Sequence, residues 1–94
     1  MLKIILNGFI RFLKENKSLK IQIQGHTDDI GESERNQVLS QNRADAVRKH
    51  LIDKGIKQNR ITAKGYGESM PKFSNSNASN RAKNRRTEFL ITEE

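Results

Sequence analysis

The sequence predicts an α/β domain, an α+β sandwich in which helices pack on one face of a small mixed sheet. Long stretches with the helical spacing of apolar residues alternate along the chain with short stretches that have the alternation of a strand. The length of 94 residues limits the chain to one domain with one modest core, and we assign residues 1–94 to a single domain.

The first helix is predicted by the amphipathic spacing of residues 2–13. Its apolar side chains fall on one side of a helical wheel: Leu2, Ile5, Leu6, Phe9, Ile10, Phe12 and Leu13. This segment is too short and too polar to span a bilayer. A polar run at residues 16–18 ends the helix. Ile21 and Ile23 then alternate with glutamines, which predicts a strand over residues 19–27.

The second helix is the longest predicted element. It follows a loop over residues 28–32, with Ser33 as the predicted N-cap and Glu34 in the first turn. We expect the helix to run to about Lys54 and to end at Gly55, because glycine is the favoured residue just after a helix C-terminus.

The remainder of the chain predicts two strands separated by a loop. Residues 60–66 have a strand pattern that ends in a glycine-containing turn. Residues 68–80 contain the proline and the segment "SNSNASN", so we expect a long, mobile loop there. Thr87, Phe89 and Ile91 alternate with Glu and Leu, which predicts the final strand.

An arginine on the second helix is the first indication of a binding site. The predicted buried stripe of this helix consists of Leu39, Ala46, Val47 and Leu51. Arg43 lies in the middle of this stripe on the helical wheel, and Asn36 and Ser40 project the same way from the first two turns. Because an unpaired buried charge is very costly, Arg43 needs an anion. The preceding loop offers Asp28 and Asp29, and we expect one of them to face Arg43.

The residues alone leave two interpretations of this pair open. In the first, the aspartate and the arginine form a structural ion pair that closes the core. In the second, the two charges are spaced apart and hold a zwitterion between them. The carboxylate would then bind an ammonium group, and the guanidinium would clamp a carboxylate in bidentate fashion.

Several motifs that follow one another in the chain resemble a known family. The segment "GHTDDIGESERNQVLSQNRADAVRKHLIDKG" has a Gly-x-Thr-Asp turn, a Gly three residues after the Asp, then Asn, Leu-Ser, Arg-Ala and Val on one helix. "RITAKGYGESMP" and the pattern "N..NRAKNRR.E" follow in the same order. Over residues 19–92 the chain resembles the OmpA-like C-terminal domain. The resemblance implies a βαβαβ-type fold.

The resemblance also implies a function. Domains of this family bind peptidoglycan non-covalently and anchor the outer membrane or an envelope protein to the cell wall. By resemblance, Asp28 binds the ammonium group of diaminopimelate in the stem peptide, and Arg43 binds its carboxylate. Thr27 and Asn36 match polar positions of the same pocket, and Leu39 matches a wall position. The implied location is the periplasmic side of the outer membrane, with a parent protein tethered to that membrane.

Other basic residues lie near the end of the chain. Arg85 is a further candidate for the pocket, because it precedes Thr87 at the period of a strand and so points to the same side. Arg81, Lys83 and Arg86 are expected to form a solvated basic rim.

One feature departs from the family pattern. Its members usually begin with a strand ahead of the first helix, whereas Met1 and Leu2 already belong to the helix pattern. We therefore expect the domain to be N-terminally truncated and to lack its first strand. Because such a sheet exposes an edge, we expect a dimer or a swapped strand pairing.

Composition bears on the other function classes. The net charge of +7 favours anionic partners, and a nucleic-acid-binding module that uses "RAKNRR" is the alternative function. Such sites interleave aromatic with basic residues, and only 5% of this chain is aromatic, so we expect no nucleic-acid partner.

We also expect no enzyme, metal site or cofactor. The chain has no cysteine and no nucleophile elbow. His26 with Asp28 is an incomplete set of metal ligands. Asp28 and Asp29 are neighbours that point to opposite sides, which does not suit a glycosidase pair.

Overall fold

The computed structural model describes residues 2–94, with side chains from Gly8 onward. Three helices alternate with three strands: α1 (Leu2–Glu15), β1 (Lys20–Gly25), α2 (Ser33–Asp53), β2 (Ile61–Gly65), α3 (Ala78–Asn84) and β3 (Thr87–Glu93). A 3-10 turn at Gln58–Arg60 precedes β2. None of the described helices has the length and apolar character needed to cross a membrane.

The three described strands form one mixed sheet in the order β2-β1-β3. The central strand β1 pairs in parallel with β2, where Ile21 lies opposite Ile61 and Gly25 opposite Gly65. It pairs antiparallel with β3, where Ile23 lies opposite Phe89. The predicted α/β fold with a small mixed sheet is confirmed, and β3 lies at an edge of this sheet.

The core lies between one face of the sheet and the helices α1 and α2. Its buried apolar residues are Ile10, Leu13, Ile21, Ile23, Ala44, Leu51, Ile56 and Ile61. Each fully buried side chain of the size of Leu or Ile contributes about 1.5–3 kcal/mol relative to exposure. The alternation of Ile21 and Ile23 with glutamines is what directs β1 onto this core. Leu2, Ile5 and Leu6, which the sequence places on the apolar side of α1, lie outside the residues whose side chains are described.

The buried face of α2 differs from the predicted stripe. Its buried residues are Asn36, Ser40, Ala44 and Leu51, with Val47 partly buried. Leu39, Arg43 and Ala46 are exposed, so the prediction that Arg43 lies on the core-facing stripe is wrong. The buried face is polar at Asn36 and Ser40, in the N-terminal half of the helix, and apolar at Ala44 and Leu51 in the C-terminal half.

Two glycines of the sheet explain why α2 turns Ser40, and not Arg43, towards the sheet. A side chain at Gly25 or Gly65 would overlap the backbone of α2 at Ser40 and Gln41. The helix therefore approaches the parallel strand pair with its smallest side chains, Ser40 and Ala44, and this turns Arg43 towards solvent.

The ends of α2 are close to the prediction. Ser33 is the first helical residue, and the N-cap is Glu32, which makes no side-chain cap. Ser33 as N-cap was therefore wrong by one residue. At the other end, Gly55 has φ of 104° and its N–H donates to the carbonyl of Ile52, as expected for a glycine that ends a helix.

The segment 68–80 is not one loop, because α3 begins within it. Asn77 is the N-cap of α3, and its side chain accepts a hydrogen bond from the N–H of Asn80. Asn84, fully buried at the end of α3, accepts from the N–H groups of Lys72 and Phe73 and donates to the Phe73 carbonyl. This clamp fixes the segment that the sequence predicted to be mobile.

Candidate functional site

All six predicted site residues line a single cleft of about 360 Å³, which we name the arginine pocket. It lies where β1 ends, between α2 and α3. Its lining residues are Thr27, Asp28, Ile30, Asn36, Leu39, Arg43, Ala78, Arg81 and Arg85. The family-based choice of Thr27, Asp28, Asn36, Leu39 and Arg43 thus selects residues that are neighbours in space.

Asp28 is held at the pocket by the extension of β1 beyond its last residue. The N–H of His26 donates to the Arg86 carbonyl, and the N–H of Thr27 donates to the Gly67 carbonyl, both at 2.9 Å. These bonds pin the chain on both sides just before it turns. Asp28 is only 7% exposed, and one of its carboxylate oxygens, Oδ1, accepts from the N–H of Ile30 at 3.0 Å.

The ion-pair partner of Asp28 is Arg85 and not Arg43. Nη1 of Arg85 lies 2.6 Å from Oδ2 of Asp28. Arg43 lines the same pocket from the exposed flank of α2, because α2 is rotated as described above. The first interpretation of the sequence, a structural ion pair between Arg43 and Asp28 or Asp29, is therefore wrong, since no such pair forms among the described residues. The role of Arg43 as a ligand-binding residue stays a prediction.

Asn36 acts as a brace between two loops. Its Nδ2 lies within hydrogen-bonding distance of the carbonyls of Asp28 and Ile30, at 3.3 and 3.1 Å. It also lies 3.2 Å from Oε1 of Glu68. The amide N–H groups of this residue are thus used within the protein, which fixes the shape of the loop that carries Asp28.

Arg81 is a pocket residue that the sequence analysis assigned to a solvated rim. It is half-buried, and its Nη1 donates to the Asn75 carbonyl at 3.0 Å. The signal that would have placed it is the N-cap pattern at Asn77, since a helix starting there puts Arg81 and Arg85 one turn apart on one side. Arg86 is also not solvated, because its side chain is mostly buried and its Nε lies 3.3 Å from Oε1 of Glu88.

The charges of the arginine pocket do not balance. Its lining contains three guanidinium groups and one carboxylate, a formal excess of two positive charges. Burial raises the pKa of Asp28, but the hydrogen bonds from Arg85 and Ile30 and the charges of Arg85 and Arg81 outweigh it. The net pKa of Asp28 therefore lies below its ordinary value, and the carboxylate is charged at neutral pH.

A buried histidine lies next to the pocket. The ring of His26 stacks on that of Tyr66 with centroids 5.4 Å apart, and its Nε2 lies 3.5 Å from Oε2 of Glu88. Burial, and then the charge of Arg86, lowers the pKa of His26, although Glu88 opposes this. His26 is therefore neutral at pH 7. Among residues 2–94, no group of three or more His, Asp or Glu side chains could hold a metal ion.

These features define a small α/β binding domain with a positively charged pocket at the end of its central strand. Comparison with known families matches residues 2–85 to the OmpA family, and the chain belongs to this family. The resemblance stated from the sequence motifs is thereby confirmed.

Individual proteins agree with this membership. Outer membrane porin F of Pseudomonas fluorescens is 46% identical over 80 residues, which cover 85% of this chain and 24% of porin F. The crystal structure of the peptidoglycan-associated lipoprotein from Burkholderia pseudomallei superposes with a TM-score of 0.88 and 33% identity, covering 93% of this chain and 74% of that one. The structure of the cell wall anchor of the T6SS from Pseudomonas aeruginosa superposes with a TM-score of 0.84 and 30% identity. The match covers 98% of this chain and 66% of that one. This chain thus spans about a quarter of the length of porin F.

Proposed function

We propose that this domain binds peptidoglycan without a covalent bond and anchors an envelope protein to the cell wall from the periplasmic side of the outer membrane. Membership of the OmpA family supports the proposal, as does the similarity to a peptidoglycan-associated lipoprotein and to a cell wall anchor. The domain acts as a binding module and not as a catalyst.

The observation that carries the proposal is that one cleft is lined by a buried carboxylate and by a guanidinium, that of Arg43, which has no ion-pair partner among the side chains of residues 8–94. The stem peptide of peptidoglycan carries diaminopimelate, whose free end is a zwitterion. In the proposed complex, Asp28 binds the ammonium group and Arg43 takes the carboxylate as a bidentate fork. Each oxygen of Asp28 has a second lone pair, so the bonds from Arg85 and Ile30 leave it able to accept from an ammonium group.

The other pocket residues complete the site. Thr27 and Asn36 set the path of the loop, and Leu39 supplies an apolar wall for the aliphatic chain of diaminopimelate. Arg85 holds Asp28 charged and fixed. Hydrogen bonds to charged groups contribute about 1.5–3 kcal/mol each, which after the cost of association gives a single-stem Kd in the ~μM–mM range. A repeating polymer raises the effective grip when several domains share one membrane.

The rival function, nucleic-acid binding, is disfavoured by how the basic segment is used. Arg85 is paired with Asp28 and Arg86 with Glu88, so the segment 81–86 is not an open basic stripe. Phosphate binding would weaken steeply with salt, whereas a paired zwitterion site would weaken less.

Isothermal titration with a diaminopimelate-containing stem peptide tests the pocket. We expect saturable binding by the wild type and loss of binding in Asp28→Asn, which keeps the shape of the side chain, and in Arg43→Ala. Arg43→Lys is expected to bind weakly, because it removes the fork. Arg35→Ala is the matched control, since it removes an exposed arginine of α2 outside the pocket. Wild-type binding in a folded Asp28→Asn variant would refute the assignment.

We also infer that the outer edge of β3 pairs with a second copy of the domain. Within residues 2–94 no strand covers this edge, and Leu90 and Ile91 are 51% and 44% exposed. An antiparallel pair centred on Leu90 would place Phe89 opposite Ile91 and would keep glutamates from facing each other. Sedimentation equilibrium should show a dimer that Leu90→Lys converts to a monomer; a monomeric wild type would refute this inference.

A further inference from the structure

We propose that Arg81 binds a second carboxylate of the stem peptide, so that the arginine pocket selects stems with two free carboxylates over stems in which one is amidated. The proposal rests on the proposed function and deepens it. It concerns a residue on α3, whereas the Asp28–Arg43 pair lies on the loop after β1 and on α2.

The pocket has two guanidinium groups that lack a counter-charge. Of its three guanidinium groups, Arg85 is neutralised by Asp28 at 2.6 Å. Arg43 and Arg81 have no ion-pair partner among the described residues. Partly desolvated cations gain most from a ligand that brings an anion for each of them. A ligand with one carboxylate leaves one of the two guanidinium groups without a counter-charge.

Arg81 is held in position in the domain without a ligand. Its Nη1 donates to the Asn75 carbonyl at 3.0 Å, which anchors the guanidinium by one of its five N–H groups. Asn75 is itself fixed, because its Oδ1 accepts from Nδ2 of the buried Asn84 at 2.8 Å. A guanidinium group that is already held by one hydrogen bond loses less conformational entropy on binding a carboxylate than a free arginine side chain would.

The space beside Arg81 is bordered by a small side chain. Ala78, three residues earlier on α3, also lines the pocket, so the helix presents a methyl group next to the guanidinium. This small residue leaves room for a ligand group against the α3 wall. The volume of about 360 Å³ is within the range of small-molecule sites.

The chemistry of the ligand fits two carboxylate subsites. The diaminopimelate residue at the end of a stem peptide uses one amine in the peptide bond, so this residue carries one ammonium group and two carboxylates. Amidation turns one carboxylate into a neutral carboxamide with almost the same shape. The pocket, with its excess of two positive charges, should therefore separate the two forms by charge and not by size.

The experiment is isothermal titration of wild type and Arg81→Gln with three synthetic stem tripeptides ending in meso-diaminopimelate. One has both carboxylates free, and each of the others has one of them as the carboxamide. We expect the wild type to bind the free diacid about 10-fold more tightly than at least one carboxamide form. Arg81→Gln should lose about 10-fold in affinity for the diacid and bind that carboxamide form unchanged, so that the preference disappears.

Lys83→Gln is the matched control, because it removes the same charge from the exposed side of the same helix, outside the pocket. It should keep the wild-type preference. Circular dichroism establishes that the variants are folded. Arg81→Lys retains the charge without the planar guanidinium, so its affinity for the diacid should lie between those of the wild type and Arg81→Gln.

The outcomes separate this inference from the proposed function. Equal wild-type binding of all three peptides, or an Arg81→Gln variant that keeps every wild-type preference for the diacid over the two carboxamide forms, overturns the role of Arg81 while peptidoglycan binding stands. No wild-type binding of any peptide overturns the proposed function and this inference with it. Loss of the preference in Lys83→Gln also overturns the inference, because the effect would then be one of general charge.

Discussion

The arginine pocket and a second basic cleft at the other ends of the helices differ in how their charges are used. The second cleft has a volume of about 470 Å³, and we name it the lysine cleft. It is lined by Lys14, Lys17, Gly55, Ile56, Lys57 and Arg60, which include four cations and no acid. By charge and volume alone, the lysine cleft would be the better anion site.

Two of the four cations of the lysine cleft, Arg60 and Lys14, lie at helix ends. Arg60 donates to the carbonyls of Leu13, Asn16 and Leu19 at 2.8, 2.8 and 3.0 Å, and so caps the C-terminus of α1. The ammonium group of Lys14 lies over the glycine that ends α2, at 3.7 Å from where a Cβ atom of Gly55 would be. Positive charges at the C-terminal ends of two helices are what the helix dipoles favour.

The comparison teaches that an excess of one charge is weak evidence for a ligand. The arginine pocket differs by holding a buried charge of the opposite sign and by having its walls fixed through side-chain hydrogen bonds. Those features have no role in ending a helix.

The largest expected effect is a loss of cell-wall binding in a variant of the arginine pocket and not in a variant of the lysine cleft. Asp28→Asn should reduce retention on purified cell walls by at least about 100-fold, because it removes the ammonium site and leaves Arg85 without its counter-charge. The double variant Lys17→Ala with Lys57→Ala, which removes two exposed charges of the lysine cleft, should retain wild-type binding in a pull-down assay. Equal losses of cell-wall retention in both variants would mean that binding depends on net charge and not on the arginine pocket.

Stability should show the opposite contrast. Arg60→Ala should lower the free energy of unfolding by about 1.5–3 kcal/mol, because three carbonyls lose a charged donor. Its affinity for the stem peptide, once folded, should equal that of the wild type. Urea denaturation measures the first quantity and titration the second. Arg11→Ala, an exposed residue of α1, is the control and should leave both unchanged.

The pH dependence of stability should come from the end of β1. Both His26 and Asp28 have a pKa in the folded domain below that in the unfolded chain, so the unfolded state binds more protons as the pH falls. The contribution of His26 is complete above about pH 6.5 and is lost as the pH falls through its folded pKa. That of Asp28 is complete above about pH 4 and is lost below it.

Thermal unfolding from pH 8 to pH 3 measures both losses. His26→Gln should flatten the curve in the region just below pH 6.5, and Asp28→Asn should flatten it below pH 4. A His26→Gln curve parallel to that of the wild type would show that His26 does not titrate on unfolding.

The smallest expected effect is that of salt. Between about 50 and 200 mM salt, binding of the stem peptide should weaken only several-fold, since the ligand carries both signs of charge and meets a partly buried site. A nucleic-acid site with six or more phosphate contacts would lose about 10³-fold or more. Titration of the stem peptide and of a single-stranded oligonucleotide in parallel distinguishes the two.

The parts of the fold that the sequence predicted are those that local patterns encode. Ile21 and Ile23 specify β1 by alternation, and Gly55 ends α2. The helix α3 was missed because its seven residues, "ASNRAKN", have no amphipathic pattern, and its only strong signal is the N-cap Asn77.

The candidate site was predictable as a set of neighbours but not in its pairing. Arg43 and Ser40 both lie near the predicted face of α2, and a helical wheel cannot decide which of them turns to the sheet. The choice depends on Gly25 and Gly65, which lie on two different strands outside α2 and meet Ser40 and Gln41 only in the folded domain. Once Ser40 is placed inward, Arg85 is the arginine that reaches Asp28.

The glycine contact between the sheet and α2 has a consequence for how such domains can diverge. There is no room for even a methyl group at Gly25 or Gly65, so the wall formed by α2 and the strand ends cannot be adjusted by small steps. The side of the pocket formed by α3 is held by side-chain contacts of Asn84, Arg81 and Arg85, and Ala78 lines the cleft on this side. Homologous domains that bind a differently modified ligand should therefore differ mainly on α3. Substitutions designed to change the specificity of the pocket should begin there too.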